Sequence, residues 1–286
     1  MGSVDWKGFL ARFSEFGGDP TPARYLDLFS REGTVLHPGM ERPLAGDGIK
    51  AFIAAALSTM PDFRLRPVRW CARDDVLFVE AVSSGTARAV HVTWPAIYCV
   101  TLCGDRAIRG RSYYDRAAVL SCLNSGRDGQ AQVFAEHVPK EDRRNGRRLD
   151  VSETENSLIE PYIANWREPR PERLAEFYAP EGRLFVPGVP AALTVREIAD
   201  YYRARLAETP DLQLRNQIWA TCSEQVFFEW RMIGSVAGRP FEVPAAERLT
   251  LDGGRIVESI SYFDTLSFRA PRDPSIAQQT VFDPPR

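Results

Sequence analysis

The sequence predicts an α+β protein made of two tandem copies of one domain, and three observations carry that prediction. Residues 20–115 match residues 169–264 at a constant offset of 149, without a gap. Each copy places its helical signals ahead of four β-rich runs, which is an α+β layout. A polar stretch separates the copies. The identical pairs include Gly33/Gly182, Pro38-Gly39/Pro187-Gly188, Pro61-Asp62/Pro210-Asp211, Trp70/Trp219, Phe78/Phe227, Glu80/Glu229, Gly85/Gly234, Ser112-Tyr113/Ser261-Tyr262 and Asp115/Asp264. A period this long means a duplicated globular domain, since solenoid repeats run at roughly 20–50 residues.

The elements follow in the same order in both copies. An amphipathic segment comes first (6–16; 157–166), then a short helix opened by proline in its first turn (22–30; 171–179). A brief strand ends at Pro-Gly (35–37; 184–186), and a third helix (47–57; 195–207) is stopped by Pro61 or Pro210. Four β-rich runs with turn residues between them complete each copy: 63–72, 76–84, 90–102 and 107–115, then 212–221, 225–235, 239–251 and 256–264. The expected division is a first domain over 1–120, a Gly-, Arg- and acid-rich linker over 121–156, a second domain over 157–270 and a Pro-rich tail over 271–286.

Composition narrows the function classes. Of 286 residues 44% are hydrophobic, enough for a core in each copy, and the net charge of −2 is spread without a basic stripe. Nucleic acid and membrane surfaces are therefore poor partners. With no long apolar run and no basic-then-apolar start, a cytoplasmic location is expected. The five cysteines form no C-x-x-C pair and read as reduced core residues. Three histidines without metal-ligand spacing give no metal site, and nucleotide, flavin and catalytic-triad motifs are missing, so no cofactor is expected.

The helix, helix, strand, helix, meander order resembles the nuclear transport factor 2-like, or SnoaL-like, superfamily. So does the turn Asp252-Gly253-Gly254 leading into Arg255-Ile256-Val257-Glu258 and on to Tyr262-Phe263-Asp264, which the first copy echoes from Cys103-Gly104-Asp105 to Tyr113-Tyr114-Asp115. The resemblance implies two cone-shaped α+β barrels, each with three N-terminal helices packed in a curved antiparallel sheet around one deep pocket. It also implies a general base on the last strand, at Asp115 and Asp264. Superfamily members pair through the sheet, which implies either an internal pseudo-dimer in a monomeric chain or a homodimer. The superfamily hosts polyketide cyclases, ketosteroid isomerases and limonene epoxide hydrolases alongside non-catalytic modules.

Strand alternation puts Tyr113 with Asp115, and Tyr262 with Asp264, on one face. In an apolar cone such a carboxylate would rise toward neutral pKa and take a proton from carbon, water or a hydroxyl, with the phenol donating to the oxyanion. The alternative is a strand-ending Asp that caps the next turn. Glu80 and Glu229 lie mid-strand, on the solvated face or in the pocket. Arg109 and Arg111 would hold Asp115 ionised, which suits anion binding. In the second copy Asp264, Glu247 and Glu229 lack arginines on their own strand face, so mutual repulsion would raise one of them into a base. His37 before Pro38-Gly39 is a candidate acid/base at a pocket mouth. Trp70, Trp219, Trp230, Tyr98, His91 and Arg111 are candidate binders of a small apolar substrate, core packing being the alternative for the tryptophans. The expected function is cofactor-independent cyclisation, isomerisation or epoxide opening, as in secondary-metabolite tailoring. The other reading is a binding or assembly protein whose cones are plugged by their own aromatics.

Overall fold

The computed structural model describes residues 4–130 and 153–270, together with 273, 275, 279, 281 and 282. The first half runs α1 (Trp6–Gly18), α2 (Pro22–Asp27), β1 (Phe29–Leu36), β2 (Leu44–Ala45), α3 (Asp47–Thr59), β3 (Arg64–Arg73), β4 (Val76–Ala87), β5 (Val90–Cys103) and β6 (Arg106–Tyr113), then α4 (Arg116–Ser125) and β7 (Gly129–Gln130). The second runs α5 (Glu153–Arg167), α6 (Pro171–Glu176), β8 (Tyr178–Phe185), β9 (Leu193–Thr194), α7 (Val195–Glu208), β10 (Gln213–Cys222), β11 (Gln225–Val236), β12 (Arg239–Asp252), β13 (Arg255–Phe263) and α8 (Thr265–Arg269). The greater part of the expected linker, 131–152, lies outside the described residues.

The two sheets have the same strand order, β2-β1-β6-β5-β4-β3 and β9-β8-β13-β12-β11-β10, with β7 added beside β5. Each meander is antiparallel, but β1 joins β6 in parallel and β8 joins β13 in parallel. The two expected α+β domains are present, each with its helices packed on one sheet; the sheets are mixed, not wholly antiparallel, and do not close into barrels. The short helices also end sooner than the proline-led pattern suggests. Phe29 and Tyr178 are already paired with Ala107 and Ile256 on the last strand, and that pairing draws the chain out of the helix.

The repeated punctuation has local causes. A Cβ on Gly33 would lie 2.5 Å from the Ala107 carbonyl oxygen, and one on Gly182 would lie 2.8 Å from that of Ile256, so only glycine lets the first strand approach the last. Asp62 accepts from the Thr86 N–H at 2.7 Å and Asp211 from the Ser235 N–H at 2.9 Å, each tying the turn after the third helix to the long hairpin. The turn from β12 to β13 needs positive φ at Gly253 and Gly254, +55° and +77°.

Three apolar clusters result. Helices α1 and α3 and the inner face of the first sheet enclose one around Phe9, Phe13, Phe16 and Trp94. The second domain encloses another around Tyr162, Trp166, Phe228 and Trp230. The third joins the domains, sheet against sheet: Cys71, Phe78, Ile97 and Tyr113 meet their counterparts Ala220, Phe227, Ala246 and Tyr262. Phe78 and Phe227 occupy equivalent positions and stack on each other with ring centroids 5.8 Å apart, so a pseudo-twofold axis passes between them. The cysteine expectation holds for Cys71 and Cys99, which are buried, and fails for Cys103, which is exposed at a hairpin turn.

Because the sheet face is consumed inside the chain, light scattering is expected to give the mass of one chain, 32.2 kDa. Phe227→Ala leaves an unfilled cavity on the axis and is expected to lower stability by about 3–5 kcal/mol in urea unfolding.

Candidate functional site

The structure turns most of the expected acid–base residues away from the cones. Tyr113 and Tyr262 lie in the seam between the sheets, and Asp115 and Asp264, just past the ends of β6 and β13, begin α4 and α8 and bond across the same domain boundary. There the Tyr113 hydroxyl donates to Glu229, and the Tyr262 hydroxyl donates to Glu80, the symmetry-equivalent contact. Arg111 also pairs with Glu229. Glu80 is fully buried between Arg69 at 3.0 Å and Arg248 at 3.2 Å. Burial pushes the Glu80 carboxyl up, but the two guanidiniums outweigh it and hold the pKa below its usual range.

Asp264 receives three bonds from Arg116 of the first domain: from the backbone N–H at 3.2 Å, Nε at 3.0 Å and Nη2 at 2.7 Å. Asp115 caps its own helix through the Ala117 N–H and crosses to accept from the Thr265 N–H at 3.0 Å and hydroxyl at 2.8 Å. Burial raises the Asp115 pKa despite these donors, so the expectation that Arg109 and Arg111 depress it does not hold; Arg111 is engaged by Glu229 and Arg109 is exposed. A cavity of about 220 Å³ lies beside these groups, lined by His37, Arg111, Tyr113, Arg116 and Asp264, and the Asp264 carboxylate in its wall is already engaged by Arg116.

The first cone is filled by its own side chains. Phe16, Phe63, Trp94, Tyr98 and Tyr114 crowd its interior and leave a cavity of about 40 Å³. Tyr98 packs edge-on against Phe13, and burial pushes its phenol up to about 12. His37 is held between the Tyr25 hydroxyl at 2.9 Å and the Ser112 hydroxyl at 2.7 Å, stacked on Phe52. Burial lowers its pKa to about 3, so the ring is neutral near pH 7, and it stands half-buried between its two hydroxyl partners in the wall of the 220 Å³ cavity. His91 is exposed and bonded to Thr86 at 3.1 Å. Trp70 leans on Trp6, and Trp219 carries the Arg73 guanidinium on its face at 4.0 Å. None of these three lines a cone.

The second cone is open. Its cavity is about 370 Å³ and is walled by Trp166, Tyr201, Tyr202, Trp230, Phe241, Phe263 and Phe268, with exposed Arg205, Glu208 and Arg269 at the rim. The difference lies in substitutions at equivalent positions: Trp94 becomes Val243, Phe63 becomes Leu212, and Phe16 becomes Asn165. Tyr98 becomes Glu247, which alternation on β12 places inside with Phe241, Val243, Ala245 and Leu249.

Glu247 lines this cavity, 4% exposed. Its Oε1 accepts from the Tyr162 hydroxyl at 2.9 Å and the Ser259 hydroxyl at 2.7 Å, and its Oε2 accepts from the Trp230 indole N–H at 3.1 Å. All three donors are neutral. Burial raises the Glu247 pKa, and the three hydrogen bonds only moderate the rise. The expected mechanism of that rise, repulsion by Asp264 and Glu229, is replaced by desolvation, because both of those carboxylates are paired with arginines from the other domain. With three of about four lone-pair positions used, Oε2 keeps one for a guest.

Tyr162 and Ser259 were missed in the sequence. Their signal was the change from Phe13 to Tyr162 and from Gly110 to Ser259, two hydroxyls arriving together with Glu247 against an apolar background.

Residues 159–259 match the family model of the SnoaL-like domain. The second domain is a SnoaL-like domain. The first repeats its topology strand for strand, and the chain is a tandem of two such α+β folds. Solved structures with single-domain likeness include a protein of ketosteroid isomerase-like fold from Catenulispora acidiphila in complex with trimethylamine, 21% identical over 40% of this chain and 90% of that one, TM-score 0.38. IdmH of Streptomyces antibioticus, described as a candidate polyketide cyclase, is 19% identical over 41% and 96%, TM-score 0.38. A SnoaL-like protein of Jannaschia, also described as a candidate cyclase, is 20% identical over 46% and 99%, TM-score 0.38. Comparison with curated proteins finds no match. Among the described residues no helix is long and apolar enough to cross a membrane.

The raised pKa has a thermodynamic sign. Above about pH 4.5, the ordinary value for this group, an unfolded chain releases the Glu247 proton while the folded chain retains it, so stability falls as pH rises toward the folded pKa. Glu247→Gln is expected to remove that decline and to gain on the wild type between pH 5 and 8, measured by urea unfolding across the range.

Proposed function

We propose that the second cone is a cofactor-independent acid–base site in which Glu247 moves the proton. The observation that supports it is a carboxylate buried in the wall of an open apolar cavity, held among the described residues by three neutral donors and no cation. Such a group sits closer to neutral pKa than an ordinary glutamate, which is where a general base or acid works best. Glu247 Oε2 would take a proton from a carbon next to a carbonyl, the electron pair moving into the enolate, and return it at another carbon, which is an isomerisation. With an epoxide, it would take the proton of a water as the water oxygen attacks a ring carbon and the epoxide C–O bond breaks, and would then return that proton to the alkoxide so formed, giving the diol. Tyr162, Ser259 and Trp230 orient the carboxylate and stabilise its charge.

The cavity size and aromatic lining suit a small, flat, apolar guest bearing a carbonyl or epoxide. This is the chemistry of secondary-metabolite tailoring, and the SnoaL-like match and cyclase descriptions among the structural likenesses are consistent with it. The first domain supports a second reading for itself alone. Its interior is filled down to about 40 Å³, so its part in the chain is to hold the seam against which the second domain is built.

The test is turnover of a β,γ-unsaturated cyclic ketone and of an aryl epoxide by wild type, Glu247→Gln and Glu229→Gln. Glu247→Gln is expected to lower kcat about 10²–10⁴-fold while Glu229→Gln, on the seam, leaves the pH–rate profile of the remaining activity in place. No turnover of either probe by the wild type, or an unchanged rate in Glu247→Gln, would remove the acid–base reading.

A further inference from the structure

Two thiols, one from each domain, meet at the seam. Cys71 lies on β3 of the first domain and is fully buried, and Cys222 ends β10 of the second and is half-buried. Both belong to the apolar cluster that joins the sheets, Cys71 within it and Cys222 packed against it. The Cys222 thiol donates across the domain boundary to the Trp70 carbonyl at 3.3 Å, and the Cys71 and Cys222 thiols are hydrogen-bonded to each other. The pseudo-twofold mate of this place holds Arg73 and Ala220, the counterparts of Cys222 and Cys71. There Arg73 Nη1 donates to the Trp219 carbonyl at 3.5 Å, and the guanidinium lies over the Trp219 ring. The same crossing is thus made twice, once by a guanidinium and once by a thiol that has a second thiol beside it. Both cysteines are free, and neither lines the cavity of either cone.

We propose that Cys71 and Cys222 form an oxidative modification site, at which a hydroperoxide converts the two thiols into a disulfide that fastens one domain to the other. Cys222 is the half-buried member, so solvent reaches its sulfur first. That sulfur gives up its proton and attacks one peroxide oxygen; the O–O bond breaks, the other oxygen leaves with the proton as water or an alcohol, and Cys222 becomes a sulfenic acid. Cys71 does not go first, because burial, then the hydrogen bond to Cys222 and its charge, push the Cys71 thiol up and keep it protonated. In the second step the Cys71 sulfur attacks the Cys222 sulfur. The S–S bond forms, the S–O bond breaks, and the hydroxyl leaves with the Cys71 proton as water. The thiol pair has lost two electrons and the peroxide has gained them. Because the partner thiol is already in contact, this condensation needs no encounter and outruns further oxidation of Cys222. The two cysteines are 151 positions apart, so the bridge ties β3 to β10 and closes a long loop in the unfolded chain, which favours the folded state.

The proposal does not depend on the second cone being catalytic. Its test treats the full chain with hydrogen peroxide, removes the peroxide, unfolds the chain in urea and labels the remaining thiols with a maleimide. Of the five cysteines, all are expected to take label in the reduced chain and three in the oxidised one, whose own mass falls by two hydrogens. An unreduced digest is expected to yield one cross-linked peptide pair containing Cys71 and Cys222, which dithiothreitol separates. Cys222→Ser is expected to abolish that pair and Cys103→Ser, at the exposed hairpin turn, to leave it unchanged. Oxidised wild type is expected to melt about 5 °C or more above the reduced chain, a difference that dithiothreitol erases. Full labelling of Cys71 after peroxide treatment, oxidation of Cys222 to a sulfinic acid without a bridge, or bridging only through Cys103 between chains overturns the proposal. A bridge that forms and leaves the melting temperature where it was overturns the fastening of the domains.

Discussion

The stacking of one sheet on the other across the pseudo-twofold axis is the constraint from which the rest of the molecule follows. An antiparallel sheet with apolar groups on both faces cannot leave one of them in water. Here the inner face of each sheet is covered by its own helices and the outer face by the other domain, with Phe78 and Phe227 at the centre. Once the outer faces are buried, every polar group on them must be paired. The reciprocal bonds Tyr113 to Glu229 and Tyr262 to Glu80, and the arginines Arg69, Arg111 and Arg248 around them, meet that requirement. Charged hydrogen bonds of this kind carry specificity: a sheet shifted by one residue would leave two buried carboxylates unpaired, at several kcal/mol each.

Duplication has let the two cones diverge while the centre of the seam kept its symmetry. The central positions on the axis remain identical, as in Phe78/Phe227, Glu80/Glu229 and Tyr113/Tyr262, while the arginines around them have diverged: Arg69, Arg111 and Arg248 correspond to Ile218, Ile260 and Cys99 in the other copy. The positions that face the cones do not meet one another and have changed freely. Large aromatics fill the first interior, and the second has exchanged Trp94 for Val243 and Tyr98 for Glu247, producing a cavity with one carboxylate in it. Identity at the axis therefore marks structure in this protein, and the differences inside the second cone mark the candidate chemistry.

That inversion explains which site residues were legible in the sequence. Asp115, Asp264, Tyr113, Tyr262 and Glu229 were legible as repeated polar residues at the ends and middles of strands, but period-two alternation stops where the strands do, at Tyr113 and Phe263, short of both aspartates. Alternation cannot say which face is the cone and which is the seam, since both are apolar. Glu247 was legible as a carboxylate within an apolar run, but its partners Tyr162, Ser259 and Trp230 come from a helix and two other strands, and no spacing rule relates them. His37 was legible as a histidine next to a Pro-Gly turn, while its neutrality follows from Tyr25, Ser112 and Phe52 closing around it.

By itself the sequence determined the α+β class, the duplication, the order of elements and, within three residues, the bounds of the eight meander strands. These follow from local causes: hydrophobic period, proline and glycine punctuation, and the identity of two stretches 149 residues apart. The tertiary structure alone decided that the first and last strands pair in parallel, that the repeated acids serve the seam, that only the second cone is open, and that Cys71 and Cys222 meet across the seam. Each of these depends on which non-local surfaces meet, and burial, with the pKa shifts it causes, belongs to those surfaces and not to any stretch of chain.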